Sequence, residues 1–177
     1  MNIRIADRND AIVIAHMHAT SWKDAYRNIL PAEYLEDNLE EEREQHWNKK
    51  MAELKGNDFV LIMEENKTPV GFISVWEVHD GAYDAFVDNL HVLPNEKGKG
   101  KGAALIASAA EKLVQLNKRS FYLWVLDENV SARRFYERIG GTAKDKGLFE
   151  IRGKKIPETR FVWTDLIPLL NPKKDVR

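Results

Sequence analysis

A run of alternating lysines and glycines is the segment of this chain whose residue types and spacing point most clearly to chemistry. It reads Lys97-Gly98-Lys99-Gly100-Lys101-Gly102-Ala103 and separates an apolar segment from an amphipathic one. Glycine permits positive φ angles and close approach of the backbone to a ligand. N–H groups in such a loop, and those of a following helix N-terminus, can surround an anion. With the lysine charges, the run predicts a pyrophosphate site, and a flexible turn is the alternative.

Two other nucleotide-binding motifs fit the same run less well. Gly98-x-Gly100-x-x-Ala103 matches a dinucleotide-binding fingerprint, and Asp127, near the end of the next predicted strand, would be its acidic residue. In that fingerprint the first glycine follows its strand almost directly, whereas residues 94–97 intervene here. A P-loop requires a Gly-Lys-Ser/Thr triplet after its first glycine and spacer, and this sequence does not contain one.

Hydrophobic periodicity and turn residues predict the elements that must position this run. Strands are predicted at residues 2–6, 59–62, 70–76, 82–93, 121–125, 142–150 and 157–166. Helices are predicted from the N-cap Asp7 to about Tyr26, from Pro31, and at residues 38–54, 102–117 and 130–139. Hairpins beside a single strand–helix–strand unit predict one α/β domain with a mixed, mostly antiparallel sheet flanked by helices. The domain spans residues 1–177, with residues 170–177 expected to be a flexible tail.

Composition and charge exclude several other functions. The chain has 177 residues and a net charge of −1, so neither nucleic acid nor a membrane is expected as a partner. It has no cysteine, which excludes disulfides and thiolate sites. The histidines lack metal-like spacing, so no metal is expected. No apolar segment approaches the roughly 20 residues of a membrane span, and the first residues lack a signal-peptide pattern, so a cytoplasmic protein is expected.

The glycine run resembles the acetyl-CoA signature of the GNAT superfamily of N-acetyltransferases, Gln/Arg-x-x-Gly-x-Gly/Ala. Lys97, Gly100 and Gly102 occupy its fixed positions, and Leu90-His91-Val92-Leu93-Pro94 is similar to the strand ending before the signature. Lys97 departs from the usual Gln or Arg, but its backbone N–H can still contact a phosphate. The resemblance implies a GNAT-like fold whose acetyl-CoA site, at the central strand–loop–helix, includes Leu90, His91, Val92 and residues 97–103.

Two further segments carry the same resemblance. Residues 129–141 are similar to the family's second CoA segment, in which an Asn opens a helix and a Phe-Tyr-x-x-x-Gly pattern closes it. Asn129 fits a helix N-cap, and the resemblance implies that Asn129 and Ala132 also contact CoA. Trp22 and Tyr26, one helical turn apart, match the family's acceptor-side helix. They are expected to bind substrate, although a hydrophobic helix face explains them equally well.

Acetyl transfer to an amine needs three functions besides binding. By resemblance, a backbone N–H of Val92 or a neighbour is expected to stabilise charge on the thioester carbonyl oxygen. The amine must lose a proton, and Asp88, His91 and Glu77 are candidate bases, acting directly or through water. By resemblance, Tyr136 points its hydroxyl at the sulfur of CoA and protonates the departing thiolate, with a packing role as the alternative.

The resemblance does not identify the group that removes the amine proton, because Phe86 stands where family members often carry a Glu. Asp88 is preferred because it lies on the strand that feeds the glycine run. Alternation along a strand predicts that Asp88 shares a face with Leu90 and Val92, with His91 opposite. A purely structural carboxylate is the equal alternative for Asp88.

The resemblance implies transfer of an acetyl group from acetyl-CoA to a primary amine by direct attack in a ternary complex. A non-catalytic acyl-CoA-binding module is the alternative, and a dinucleotide-binding protein is a weaker one. Polyamines, aminoglycosides, amino acids and protein N-termini all remain open as acceptors, and a homodimer is compatible with the sequence. The charged residues 40–44 are interpreted as a solvated helix face, with an acidic rim for a polyamine as the alternative.

Overall fold

The computed structural model describes residues 1–79 and 81–170. Its strands are β1 (Asn2–Ile5), β2 (Phe59–Glu65), β3 (Thr68–Glu77), β4 (Ala85–Val92), β5 (Phe121–Leu126), β6 (Thr142–Ile151) and β7 (Lys154–Trp163). Its α-helices are α1 (Ala11–Ala25), α2 (Ala32–Glu36), α3 (Leu39–Ala52), α4 (Lys101–Gln115) and α5 (Val130–Arg138). Short 3-10 turns are formed by Arg8–Asp10, Pro94–Glu96 and Ile167–Leu170. The predicted order of strands and helices is confirmed.

The predicted boundaries need two main corrections. The last strand begins at Lys154 rather than residue 157, because Arg152 and Gly153 close a tight hairpin with φ angles of 49° and 75°. The strands predicted at residues 59–62 and 70–76 extend toward each other, because β2 and β3 pair through Glu65 and Thr68. The expected flexible tail, apart from Leu170, lies outside the described residues.

The first helix begins where the sequence predicts, with a reciprocal cap. The Asp7 carboxylate accepts from the Asn9 N–H at 2.8 Å, and the Asp10 carboxylate accepts from the Asp7 N–H at 2.8 Å. Arg4 on β1 donates to both oxygens of Asp10 at 2.7 Å. The cap therefore satisfies the free N–H groups of the helix start and also ties the helix to the first strand.

The sheet has the order β1-β2-β3-β4-β5-β7-β6, and β4–β5 is its parallel pair. These two strands pair only at Ala85 with Phe121 and at Phe86 with Tyr122, although β4 continues to Val92. They therefore separate and leave an opening at their carboxyl ends. The connection between them runs through the glycine run and α4, so the predicted strand–loop–helix leads into this opening.

Helices cover both faces of the sheet. One core cluster combines α4 and α5 with the sheet and includes Leu105, Ile106, Phe121 and Phe161. A second combines α1 and α3 with β2 and β3 and includes Ile14, Trp47, Ile62 and Phe72. None of the helices in the described residues has the length and hydrophobicity that crossing a bilayer requires.

Candidate active site

The opening between β4 and β5 continues into a cleft of about 2200 Å³. All of the site residues predicted from the sequence line this cleft except Lys99 and the candidate base Glu77. The walls come from α1 and α3 on one side, from the glycine run, α4 and α5 on another, and from the β6–β7 hairpin. The predicted cofactor and acceptor residues are thus brought together around one continuous space.

The glycine run has the open backbone that the sequence predicts. Gly98 and Gly100 have φ angles of 74° and 76°, and no atom lies within 4 Å of the position that a Cβ would take at either residue. Gly100 caps α4, whose first helical bond runs from the Ala104 N–H to the Gly100 carbonyl. The N–H groups of residues 101–103 therefore have no helical partner. This cradle fits the pyrophosphate of CoA.

Position 102 needs a glycine for a different reason. A Cβ there would lie 3.3 Å from Cζ of Phe135, a residue of α5. That distance is too short for ordinary packing, so glycine lets the start of α4 and the middle of α5 approach each other. Gly102 therefore sets the relative position of the two segments that carry the predicted CoA contacts.

The lysine side chains of the run are paired rather than free. Lys97 Nζ lies 2.6 Å from an oxygen of Asp24, and Lys99 and Lys101 lie 3.1 Å and 2.7 Å from Glu96. Lys101 is also buried, with 5% of its surface exposed. The positive charge expected from these lysines is thus largely neutralised within the chain, and the N–H cradle and helix dipole become the main anion-binding features.

The backbone of β4 offers donors to the opening. The Leu93 N–H donates to the Val70 carbonyl on β3 at 2.9 Å. Because N–H groups alternate along a strand, those of Val92 and Leu90 point the other way, toward the side where β5 has separated. The Val92 carbonyl on that side accepts from the Ser21 hydroxyl of α1 at 3.4 Å. The opening thus holds two N–H groups without a strand partner, as an acyl group requires.

A β-bulge changes the predicted position of Asp88. The pairing of β3 with β4 shifts between Ser74, which is opposite Asn89, and Val75, which is opposite Val87. Asp88 is therefore the extra residue of the bulge, and simple alternation does not hold across it.

The carboxylate of Asp88 lies on the α1–α3 side of the sheet. Its Oδ2 accepts from Trp76 Nε1 at 2.9 Å and from Asn89 Nδ2 at 3.0 Å, and Trp76 packs on the α1–α3 cluster. Leu90 and Val92 pack on the opposite, α4–α5 side. The prediction that Asp88 shares their face is wrong, because the bulge reverses the alternation.

The other candidate bases are less suited to proton removal. Glu77 pairs with Lys118 and Asn57 and does not line the cleft, and these partners lower its pKa. Burial, aided by Lys97 and Arg43, lowers the pKa of His91 to about 3, so its imidazole is neutral and weakly basic.

The segment at residues 129–141 closes the cleft opposite α1. The Asn129 side chain accepts from the Ala132 N–H at 3.2 Å, which confirms the predicted helix cap. Burial raises the pKa of Tyr26, the residue that caps α1, and the nearby Asn129 side chain partly offsets this rise. Tyr136 is 9% exposed, lines the cleft and has no side-chain hydrogen bond among the described residues. Burial raises the pKa of Tyr136 above its usual value, and Tyr26 adds to the shift.

Comparison with known proteins identifies the family. The sequence model of the acetyltransferase (GNAT) family matches residues 19–141. The chain belongs to the GNAT family. It is 31% identical over 172 residues to the uncharacterized N-acetyltransferase YuaI of Bacillus subtilis strain 168, with 96% of each chain covered.

Solved structures share the GNAT fold. The PaiA N-acetyltransferase of Thermoplasma acidophilum, in complex with coenzyme A, has a TM-score of 0.72 at 21% identity and covers 89% of this chain and 98% of its own. The yncA protein of Salmonella typhimurium, with its cofactor acetyl-CoA, has a TM-score of 0.66 at 20% identity and covers 93% of each chain. The predicted fold and the prediction of an acetyl-CoA-dependent GNAT N-acetyltransferase are confirmed, and the dinucleotide-binding alternative is excluded.

Two cleft residues of this GNAT chain escaped the sequence reasoning. The ring of His18 on α1 lies 5.0 Å from that of Trp22, and the Arg43 guanidinium of α3 lies 5.1 Å from the same indole. Residues 40–44 were interpreted as a solvated helix face. That interpretation does not hold for Glu42 and Arg43, because these two residues line the cleft. The helical spacing of His18 with Trp22 was a usable signal, but the packing of α3 on α1 was not visible in the sequence.

Proposed function

We propose that the protein transfers the acetyl group of acetyl-CoA to a primary amine by direct attack within a ternary complex. The observation that carries this proposal is the pair of β4 N–H groups, at Leu90 and Val92, that face the opening between β4 and β5. They lie between the glycine cradle at one end of the cleft and the α1–α3 wall at the other. Both reactants can therefore occupy the cleft at once.

Binding is assigned to the backbone more than to charged side chains. The N–H groups of residues 98–103 hold the pyrophosphate, because the Lys97 N–H already donates to the Pro94 carbonyl at 3.3 Å. Residues 90–92 align the pantetheine arm along the free edge of β4. The Val92 or Leu90 N–H receives the negative charge that develops on the acetyl carbonyl oxygen. Asn129 and Ala132 shape the opposite wall, where Asn129 orders the start of α5.

Asp88 is assigned as the group that removes the amine proton, directly or through water. Its Oδ2 is held by Trp76 and Asn89, so the carboxylate is oriented while it lines the cleft. The amine nitrogen forms a bond to the acetyl carbon, the carbon–sulfur bond breaks, and the surplus proton of the nitrogen passes to Asp88.

Tyr136 is assigned as the donor that protonates the departing sulfur. Its raised pKa keeps the hydroxyl protonated at neutral pH. Burial also raises the pKa of a thiolate formed in the same pocket, so donor and acceptor shift in the same direction. The products are an N-acetyl amine and free CoA thiol, and Tyr136 regains its proton from the amine proton through solvent.

The test is acetyl-CoA turnover with a panel of amines, measured as thiol release. Amine-dependent thiol release, with the acetylated amine identified by mass spectrometry, would support the proposal. A protein that binds acetyl-CoA tightly and releases no thiol with any amine would instead be a non-catalytic acyl-CoA-binding module. Trp22 lines the acceptor end of the cleft, so Trp22→Ala should change the preference among amines.

A further inference from the structure

The α1–α3 wall of the cleft contains a buried hydrogen-bond donor without a partner. His18 is 2% exposed, and its Nδ1 lies 2.9 Å from Trp47 Nε1. The indole can only donate, so Nδ1 accepts and the imidazole proton is on Nε2. His18 Nε2 has no hydrogen-bond partner among the described residues. His18 therefore presents a fixed N–H donor at a wall of the cleft.

Arg43 provides a second incompletely satisfied donor in the same place. Its side chain is 12% exposed, and its Nη2 lies 2.5 Å from the Glu42 carboxylate. Its Nε has no partner within the described part of the chain. The guanidinium lies over the Trp22 ring, which also contacts the His18 ring edge-on. Both unpaired donors thus belong to side chains that line one part of the cleft, where neighbouring side chains cover the two nitrogen atoms.

The part of the cleft around Glu42 also has more positive than negative side chains close by. Arg152, from the β6–β7 turn, lies with its guanidinium 5.5 Å from the Tyr34 ring, and the Tyr34 hydroxyl donates to Glu42 at 2.9 Å. Glu42 therefore faces two guanidinium groups, those of Arg43 and Arg152. A polyamine, which carries only cations, is poorly matched to this arrangement.

This donor pair lies next to the strand that holds the acyl group. The His18 ring stacks on the His91 ring of β4 with centroids 4.7 Å apart. A molecule that places its amine at the Val92 end of β4 can therefore reach His18 and Arg43 with a group only a few bonds away.

Building on the proposed function, we propose that His18 and Arg43 bind a carboxylate of the acceptor, so that the acceptor is a small amino acid rather than a polyamine. A carboxylate supplies the acceptor oxygens that both donors lack, and an unsatisfied buried donor is otherwise costly. Arginine also recognises a carboxylate with two parallel hydrogen bonds.

The first test compares each amino acid with the amine that lacks its carboxylate. Leucine is paired with isopentylamine and phenylalanine with phenethylamine, and spermidine is added as a polyamine. We expect kcat/KM, calculated from the concentration of unprotonated amine, to be at least roughly tenfold higher for the amino acid of a pair, since hydrogen bonds to charged groups are strong ones. Equal or faster turnover of the matched amines would overturn the inference while leaving acetyl transfer itself in place.

Two substitutions on α3 then test whether Arg43 causes the preference for the amino acid over the matched amine. Arg43→Gln should reduce the amino acid to amine ratio of kcat/KM by roughly tenfold, mostly through a higher KM. Lys49→Gln removes one positive charge from an exposed position of the same helix, outside the cleft, and should leave the ratio unchanged. An equal fall for both substrates of a pair would overturn the assignment, because a general loss of stability or packing affects them alike.

A second readout does not depend on turnover. In the CoA-loaded protein with labelled histidine, the Nε2 resonance of His18 is identified by its loss in His18→Gln. We expect leucine to shift this resonance and isopentylamine to leave it in place. If no amine is acetylated, the proposed function fails, yet a leucine-specific shift would still support carboxylate binding. The absence of a shift with leucine would overturn the inference.

Discussion

At the scale of single residues, Tyr136 has the position that a proton donor requires. It lines the cleft and is nearly buried, and its hydroxyl makes no hydrogen bond within residues 1–79 and 81–170. Its ring packs against Phe161 and Trp163, with centroids 5.9 Å and 6.0 Å away. Packing therefore fixes the ring and leaves the hydroxyl without a partner in the described residues, as the proposed role of proton donor requires.

Tyr136→Phe retains that packing and removes only the hydroxyl. We expect the chemical step to slow by at least about tenfold, because a positioned acid contributes roughly 10²–10⁴ in rate. Acetyl-CoA affinity should change little. Single-turnover rates measure the chemical step directly, and a wild-type rate would assign Tyr136 to packing and the proton to water.

Asp88 is testable by its pH dependence. Asp88→Asn keeps an oxygen that can accept from Trp76, so the bulge should be retained. We expect kcat to fall more at pH 7 than at pH 9, because an alkyl ammonium has a pKa of about 10 and more amine is already free at the higher pH. A fall of the same size at both pH values would return Asp88 to a structural role.

The sequence identified some single residues well and others not at all. Asn129 could be predicted because a helix cap depends only on local spacing. His18 could not, because its tautomer and its burial depend on Trp47, which is distant in the sequence. The lysines of the glycine run were interpreted as free charges, since their partners Asp24 and Glu96 are positioned only by the fold.

At the scale of elements, the glycine run and α4 are proposed to form one anion-binding unit. Gly100 has a φ of 76° and caps α4, so its backbone conformation and the helix dipole act at the same point. Gly81 has the same φ of 76°, and in both cases no atom lies within 4 Å of a Cβ position. Gly81 precedes β4 and Gly100 follows it, so the two glycines are separated by the whole strand.

These glycines make a matched pair of variants. Gly100→Val and Gly81→Val should each lose stability by about 1–2 kcal/mol, because a side chain at positive φ is strained. Only Gly100→Val should also weaken acetyl-CoA binding, by roughly tenfold or more, since its side chain stands in the cradle. Calorimetric titration of both folded variants measures this, and equal affinities would place the pyrophosphate elsewhere.

Turn residues made some element boundaries predictable, as at the end of α5, where Gly140 has a φ of 89°, but the turn at Arg152 and Gly153 did not reveal the start of β7. The bulge at Asp88 was not, because an extra residue in one strand is defined by pairing with another strand. A single bulge was enough to reverse the predicted face of Asp88 relative to Leu90 and Val92. Alternation within a strand is a sound rule only while the register with its neighbour is unbroken.

At the scale of the whole molecule, the site exists because one parallel pair interrupts an antiparallel sheet. The pairing of β4 with β5 ends at Phe86 and Tyr122, and the helices of both faces meet at the opening. The order of elements, and with it the single strand–helix–strand unit, followed from the sequence. The width of the opening and the packing of α3 on α1 could not be predicted from the sequence, since both depend on side chains that pack between distant segments.

The core beside the cleft also contains two stacked histidines, His18 and His91. Burial lowers the pKa of His18, with His91 and Arg43 adding to the shift, and burial with Lys97 lowers the pKa of His91 to about 3. Both imidazoles are therefore neutral in the folded protein at pH values where the unfolded chain binds protons. Below a pKa of about 6.5 the unfolded state gains protons that the folded state does not, so stability falls as the pH falls.

We expect the free energy of unfolding to decrease between pH 7.5 and pH 5.5 by about 1 kcal/mol for each of the two histidines. Carboxylates contribute little in this range, because their unfolded pKa values are near 4. Urea unfolding at three pH values measures the slope. His91→Phe retains an aromatic ring against His18 and Phe72 and removes one titrating group. Burial and Arg43 also lower the pKa of His46, which keeps part of the slope, so the slope should fall by about a third to a half. An unfolding free energy that stays constant across this range in the wild type would mean that these histidines take up protons while folded, and the donor assigned to His18 would then lose its fixed tautomer.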